Sequence, residues 1–227
     1  MRKFLLICGL FLAALAPLPA SAALQVDVTQ GNAQPLPIAI PDMVAPDPAQ
    51  AQMGANIAGV IRADLTRSGL FRSIDPKAFV EHISNINVAP IFQSWRAISA
   101  QGLVAGQVIL QPDGRLRVDF RLWDVYGESQ MLGQQFFTQP ENWRRVAHMV
   151  SDAIYERVTG EKGYFNTRIV FIAESGPALK RIKRLAVMDE DGANPIYLTK
   201  GDYLVLTPRF NPTAQMIAYM SYIATKP

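Results

Sequence analysis

Residues 102–138 read GLVAGQVILQPDGRLRVDFRLWDVYGESQMLGQQFFT, and this stretch decides the fold of the first half of the chain. Gly102 to Leu110 is apolar and rich in residues that favour strands, and residues 116–125 alternate between apolar and polar side chains. Pro112-Asp113-Gly114 and residues 126–129 have the composition of turns. Three consecutive segments of this kind, the last at residues 131–138, predict an antiparallel three-stranded meander.

Amphipathic segments flank the meander on both sides. Apolar residues recur at helical spacing over residues 49–68 and again from the end of the meander to about Thr159. Gly69 and Gly160 follow the two segments, as glycine commonly follows a helix. Thr138 and Glu141 have the spacing of a capping box for the second helix. The sequence thus predicts a compact α+β domain over about residues 24–160, with a small sheet and two main helices.

Shorter elements complete the predicted domain. Residues 70–74 predict a short strand, Asp75-Pro76 opens a brief helical turn, and residues 91–100 predict a second short helix. Residues 35–41 are extended and contain three prolines, which predicts either a short strand or an edge strand.

Helical periodicity ends after Gly163, and strand and turn patterns replace it. Residues 168–173 predict a strand, and residues 185–188 and 196–198 predict a hairpin around residues 189–194. The segment at 217–221 then repeats the pattern of residues 169–173 at an offset of 48 residues. A period of that length with several short strands is typical of a β-propeller blade.

The first 22 residues have the three parts of a secretory signal. Arg2-Lys3 is a short basic region, residues 4–16 form an apolar run, and Ala20-Ser21-Ala22 provides small residues for cleavage between Ala22 and Ala23. The run is about 13 residues long, whereas a membrane-spanning helix needs about 20. An uncleaved anchor is the alternative. We expect an exported protein, most simply one of a bacterial periplasm.

Composition excludes several classes of function. The formal net charge of +3 falls to +1 without Arg2 and Lys3, which gives no indication of nucleic-acid binding. The only cysteine, Cys8, lies in the signal, so the mature chain has no disulfide or cysteine nucleophile. P-loop, G-x-S-x-G and H-E-x-x-H motifs are absent from the sequence. We therefore predict no catalytic residue, no metal and no cofactor.

Four groups of residues have features of functional sites, but their patterns favour structural roles. Residues 189–194 have some of the acidic residues of a calcium loop but lack its final glutamate, so a hairpin turn is favoured. His148 is interpreted as a boundary residue of the second long helix, and Asp119 and Asp124 should point to opposite faces of a strand. The basic run at 180–184 is interpreted as a solvated loop, with an anionic partner as the alternative.

Several segments together resemble the TolB family, the periplasmic component of the Tol-Pal system. Residues 147–168 read AHMVSDAIYERVTGEKGYFNTR, followed by IVFIA, and resemble the junction between the two domains of that family. Further similar segments are PLPIAI at 35–40, ADLTRSGLFR at 63–72, residues 95–106 and VMDEDGANP at 187–195. They occur in the order of the family and cover nearly the whole mature chain.

The resemblance implies a scaffold rather than an enzyme. It implies a signal peptide at 1–22, an α+β N-terminal domain at 23–162 and a β-propeller from residue 163, of which 163–227 would be the first blade and the start of a second. Family members bind the lipoprotein Pal through the propeller and the C-terminal domain of TolA through the mature N-terminus. They support outer-membrane integrity and constriction at cell division, and colicins use some of them during import.

The mature N-terminus supplies the predicted partner-binding residues, namely Leu24, Gln25, Val26, Asp27 and Val28. Their alternation suits a strand that adds to the sheet edge of a partner, or one that folds back on its own domain. The chain departs from the family pattern at residues 211–214, where Asn-Pro-Thr-Ala replaces a Ser-Pro-Asp-Gly turn, and it stops at Pro227, which we expect to be a truncation. An exported propeller-bearing hydrolase, with its catalytic domain outside this chain, is the alternative function.

Overall fold

The structure is a computed structural model that describes Leu24 and residues 34–223. The sheet of the first domain contains β1 (Leu36–Ala39), β2 (Phe71–Ser73), β3 (Gly102–Leu110), β4 (Leu116–Asp124) and β5 (Ser129–Thr138). Its helices are α1 (Pro48–Arg67), α2 (Phe92–Ala97) and α3 (Trp143–Thr159). Short 3-10 turns occupy Pro76–Ala78 and Pro140–Asn142. The predicted α+β domain is confirmed.

The five strands form one mixed sheet in the order β2-β1-β3-β4-β5. The predicted meander is confirmed, because β3, β4 and β5 are consecutive and antiparallel. β1 is parallel to both β2 and β3, so it is an interior strand, and the edge alternative for residues 35–41 is wrong. Pro37 is tolerated there because it faces β3 just before that strand begins, and its carbonyl accepts the Gln101 N–H at 2.9 Å.

Helix α1 begins and ends where the sequence predicts. The Asp47 side chain accepts the Gln50 N–H, Pro48 is the first helical residue, and Gly69 has a φ of +76° just after the helix. Its buried face packs on the sheet through Ile57, Ile61, Leu65 and neighbouring apolar residues. Gly54 lies so close to the preceding loop that a Cβ there would be 2.4 Å from the Met43 carbonyl oxygen. The loop before α1 can therefore contact the helix only because residue 54 has no side chain.

Helix α3 packs on α1 and on the sheet, and Gly160 ends it with a φ of +78°. The predicted capping box is wrong. Thr138 is the last residue of β5, a 3-10 turn separates it from the helix, and the Asn142 cap makes no side-chain hydrogen bond to the backbone. Pro140 favours that intervening turn because its fixed φ suits the first position of a helical turn.

A second cluster of buried side chains lies on the other face of the sheet, around Trp95. The indole Nε1 of Trp95 donates to the Glu81 carboxylate at 2.6 Å, and the same carboxylate accepts the Ile91 N–H at 3.0 Å. Trp95 is fully buried, whereas Trp123 and Trp143 are half-buried. Glu81 thus holds the connection between β2 and α2 against the core.

The second part of the chain contains two antiparallel sheets. β6 (Arg168–Ser175), β7 (Ile182–Asp189) and β8 (Ile196–Tyr197) form one, and β9 (Leu204–Phe210) and β10 (Ile217–Tyr222) form the other. A 3-10 turn at Ala178–Lys180 precedes β7. The predicted strands and the hairpin at 189–194 are confirmed. The loop interpretation of the basic run is wrong from Ile182 onward, because these residues begin β7, and the guanidinium of Arg184 lies 4.2 Å from the ring centre of Tyr197.

The turn between β9 and β10 closes without the Asp-Gly pair. The Asn211 side-chain oxygen accepts the N–H groups of Thr213 and Ala214 at 2.9 and 3.0 Å. No residue from 211 to 216 has a positive φ. The asparagine therefore provides an Asx-type turn that does not need glycine. Among the described residues, no helix is long and apolar enough to cross a membrane.

Candidate functional site

The predicted partner-binding segment is described only at its first residue. The backbone nitrogen of Leu24 donates to the Asp124 carboxylate at 3.2 Å, and its half-buried side chain packs against the core of the first domain. The other oxygen of Asp124 accepts the N–H groups of Tyr126 and Gly127 in the turn after β4. Leu24 therefore lies beside the turn that joins β4 and β5.

The remaining predicted N-terminal positions lie outside the described residues. These are Gln25, Val26, Asp27 and Val28, together with the cleavage residues Ala22 and Ala23. The assignment of this segment to a TolA-type partner stays a prediction.

A network of side-chain ion pairs and hydrogen bonds lies between the two parts of the chain that the structure describes. We call it the interdomain cluster, and it consists of Asp64, Arg67, Arg144, His148, Ser151, Glu190 and Asp191. The first five belong to α1 and α3, and the last two belong to the turn between β7 and β8.

Asp64 is the centre of the cluster on the side of the first domain, and it is fully buried. One carboxylate oxygen accepts a hydrogen bond from Arg67 at 2.7 Å. The other lies 2.7 Å from His148 Nδ1 and accepts the Ser151 hydroxyl at 2.9 Å. Arg67 lies three residues after Asp64, and Ser151 three residues after His148, so each pair shares one face of its helix. A buried carboxylate needs such partners, because an unpaired charge in the interior is strongly destabilising.

The β7–β8 turn brings two carboxylates to these helices. Arg67 also contacts Glu190 at 2.8 Å, and Arg144 makes a hydrogen-bonded ion pair with Asp191. Asp191 Oδ2 lies 3.9 Å from His148 Nε2, which has no hydrogen-bond partner although His148 is only 2 % exposed. Arginine side chains of the first domain therefore hold the turn through Glu190 and Asp191.

The geometry of the turn fixes Asp191 in this position. Gly192 and Asn194 have φ values of +86° and +53°, and the Asp189 N–H donates to the Ala193 carbonyl. Burial alone would raise the pKa of the Asp191 carboxyl, but the Ala193 N–H and the Arg144 guanidinium outweigh it and lower the pKa below its ordinary value. Asp191 is thus held as a carboxylate at the junction.

The segment between the domains is also tied to α3. Asp152 accepts the N–H groups of Phe165 and Asn166 at 2.7 and 3.2 Å. A Cβ at Gly163 would lie 2.5 Å from Asp152, so the segment passes directly over the helix. Burial raises the pKa of the Asp152 carboxyl, and the two N–H groups oppose this effect only in part.

The chemistry of the interdomain cluster is that of an ion-pair junction. Ser151 donates to Asp64 and not to His148, so the side chains do not form a nucleophile–base pair. Asp64, His148 and Asp191 are close enough together to be considered as metal ligands. However, each of the two carboxylates already accepts from an arginine, and a divalent cation would lie beside both guanidinium groups. The donor set therefore fits hydrogen-bonded ion pairs better than a metal.

A cleft of about 340 Å³ opens beside the cluster, between α3 and the β9–β10 turn. It is lined by Arg145, His148, Asn166, Thr167, Arg168, Asp189, Phe210, Asn211, Ala214 and Gln215. His148 is the buried member of this set, and most of the others are exposed.

Of the cluster residues, only His148 and the acidic residues of the 189–194 turn were candidates from the sequence, and they were interpreted separately. The interpretation of His148 as a boundary residue is wrong, since it is buried against Asp64. Residues 189–194 form the predicted turn, but their acidic side chains also contact the first domain. Asp119 and Asp124 are both buried in separate surroundings, with Asp119 bonded to Gln107 at 2.6 Å. One signal in the sequence could have indicated the cluster. Asp64 is a charged residue on the apolar face of α1, where it needs a buried partner.

Two family comparisons match the two parts of the chain. The TolB amino-terminal domain family matches residues 24–131, and the TolB beta propeller domain family matches residues 155–227. The crystal structure of TolB from Acinetobacter baumannii is similar at a TM-score of 0.68 and 28% sequence identity, over 87% of this chain and 45% of that one. The chain thus spans less than half the length of that relative.

Two further structures show only weaker similarity. Lipoprotein GNA1162 from Neisseria meningitidis has a TM-score of 0.38 at 11% identity, over 46% of this chain and 81% of its own. PelC from Paraburkholderia phytofirmans has a TM-score of 0.36 at 14% identity, over 56% of this chain and 90% of its own. Both values are too low to support an argument about function.

Proposed function

Because the chain belongs to the TolB family, we propose that it is a non-enzymatic scaffold of the Tol-Pal envelope complex. TolB homologues are periplasmic and in general are not enzymes, and family membership supports a role as a Tol-Pal component. The scaffold links TolA to Pal, and in this way it maintains outer-membrane integrity and supports constriction during cell division.

The observation that carries the proposal is the succession of the two family modules in one chain, joined by the interdomain cluster. A scaffold must transmit position or force between two partners, and this requires that its two binding parts be held together. Ion pairs from Arg67 and Arg144 to the β7–β8 turn provide such a connection. No catalytic arrangement is needed for this role.

The TolA contact is assigned to the mature N-terminus, from Leu24 to Val28. An alternating segment near a free end can add as a strand to an exposed sheet edge, with backbone hydrogen bonds giving affinity and alternate side chains giving selectivity. The Leu24 N–H donates to Asp124, so the first residue of the assigned segment lies beside the β4–β5 turn of its own domain.

The Pal contact is assigned to the propeller, which begins at about residue 163. The chain covers 45% of the similar TolB structure, so the Pal-binding surface is a proposal for the whole protein. The periplasmic location of this chain rests on the predicted signal at residues 1–22, which lies outside the described residues.

A binding experiment tests the TolA assignment. The mature chain is immobilised and titrated with the TolA C-terminal domain of the same organism. A Val26→Pro variant, which removes one backbone N–H and disfavours pairing, should weaken TolA binding by at least about tenfold. Leu179→Ala is the matched control, because Leu179 is 99% exposed on the propeller side and should leave TolA binding unchanged.

Two results would contradict the proposal. If the unaltered mature chain does not bind the TolA domain, the partner assignment fails. If Val26→Pro binds as well as the Leu179→Ala control, the contact lies elsewhere in the chain.

A further inference from the structure

His148 is the one histidine of the chain that lies between carboxylates of both domains. The chain has two histidines, and the other one, His82, is exposed. Asp64 of α1 lies 2.7 Å from its Nδ1, and Asp191 of the β7–β8 turn lies 3.9 Å from its Nε2. Nε2 is buried and has no partner among the described residues.

The hydrogen-bond geometry determines what a proton would change. A carboxylate can only accept, so the short contact requires that Nδ1 carry a hydrogen and donate to Asp64. In the neutral ring, Nε2 then presents a lone pair toward the Asp191 carboxylate, which is unfavourable. A proton on Nε2 makes it a donor, and a movement of about 1 Å would bring the 3.9 Å separation to hydrogen-bond length.

The net charge of the interdomain cluster also favours the addition of this proton. The cluster contains three carboxylates, those of Asp64, Glu190 and Asp191, and two guanidinium groups, those of Arg67 and Arg144. With a neutral imidazole the sum is one negative charge, and with an imidazolium the sum is zero. Buried charge is least costly when it is balanced.

Other charged or titratable groups surround the ring from every packed element. They are Asp64 and Arg67 on α1, Arg144, Arg145 and Asp152 on α3, Arg168 on β6, and Asp189, Glu190 and Asp191 at the β7–β8 turn. Each sign is present on both sides of the junction, and Asp191 is the described carboxylate that lies within 4 Å of the unpartnered nitrogen.

We propose that His148 is a proton-dependent clamp between the two domains, in which protonation of Nε2 creates a charge-assisted hydrogen bond to Asp191. The clamp tightens as the pH falls, because the added proton turns Nε2 into a donor to Asp191. It loosens as the pH rises.

Hydrogen–deuterium exchange on the mature chain tests the clamp. The measured quantity is the protection of the turn at residues 189–194, corrected for the intrinsic pH dependence of exchange, at about pH 5.5 and about pH 8. A hydrogen bond between charged groups should raise protection at the lower pH by about tenfold. His148→Gln and Asp191→Asn should each abolish this pH difference, and His82→Gln should retain it.

Three results would overturn the proposal. One is equal protection of the unaltered chain at the two pH values. Another is a pH difference that persists in both His148→Gln and Asp191→Asn, which would place its origin in another group. A purely structural histidine would lower protection equally at both pH values when replaced, and this outcome also counts against the clamp.

Discussion

Replacing Asp64 with alanine should be among the most destabilising single substitutions in the first domain. The side chain is fully buried and accepts hydrogen bonds from Arg67, Ser151 and the His148 ring. Its removal leaves the buried His148 Nδ1 without a partner, leaves the Ser151 hydroxyl with only the Ala147 carbonyl, and frees a guanidinium that also contacts Glu190. Truncating one member of a buried charge network costs about 3–5 kcal/mol of the free energy of unfolding.

That loss of stability should produce a measurable decrease in the melting temperature, Tm. For a chain of this size each kcal/mol lowers the Tm by about 2–4 °C, so Asp64→Ala should lower it by about 6–20 °C. Asp64→Asn keeps the shape and one acceptor oxygen and should lower it less. Ser151→Ala removes one hydrogen bond to the Asp64 carboxylate and should cost about 1.5–3 kcal/mol.

Thermal and urea unfolding followed by circular dichroism and tryptophan fluorescence would measure this series. All three tryptophans, Trp95, Trp123 and Trp143, lie in the first domain, so fluorescence reports on that domain alone. Asp42→Asn is the control, because the pair of Asp42 with Arg62 is at the surface, with Asp42 58% exposed, and should contribute no more than about 1 kcal/mol. An Asp64→Ala variant that melts as close to the unaltered chain as this control would refute the reasoning.

Three further predictions follow from other parts of the structure. Gly54→Ala should destabilise by about 1–3 kcal/mol, because its Cβ would be 2.4 Å from a backbone oxygen, whereas Gly59→Ala on the same helix should stabilise by up to about 1 kcal/mol; equal effects in urea unfolding would contradict this. The pKa of Asp191 is lowered in the folded state, so its contribution to stability is present above its unfolded pKa of about 3.9 and is lost as the pH falls through the lower folded value. Asp191→Asn should therefore flatten the acid limb of a stability–pH curve, and an unchanged limb would argue against it. Glu81→Ala should expose Trp95 and shift its emission to longer wavelength, since the indole N–H loses its acceptor, and an unshifted spectrum would show that the loop does not depend on this bond.

Local patterns in the sequence were sufficient to predict most elements of the fold. The alternation over residues 116–125 predicted β4, and Gly69 and Gly160 predicted the ends of α1 and α3. These predictions were possible because such signals depend on neighbouring residues alone. The interior position of β1 could not be derived, since its neighbours β2 and β3 are distant in sequence and three prolines pointed to an edge.

The candidate site depended still more on distant residues. His148 and Asp64 are 84 residues apart, and the turn that carries Asp191 comes later again. On the helix, His148 follows core-facing Ala147 and has the polarity of a boundary residue, so nothing local distinguishes it from an exposed histidine. Only the packing of α1 against α3 shows that its partner is a buried carboxylate.

The strand order of the sheet affects the order in which the domain can be completed during synthesis. β1 leaves the ribosome before both of its neighbours, so the apolar residues from Leu36 to Ala39 have no pairing partner until β2 has emerged, and their second edge stays unpaired until β3 begins at Gly102. β3, β4 and β5, in contrast, are joined by short turns and can pair as they appear. Chains that end before β3 would therefore leave one edge of β1 unpaired, and an unpaired strand edge favours aggregation. Protease sensitivity of arrested chains should fall only after Thr138 has emerged, and early protection would contradict this order.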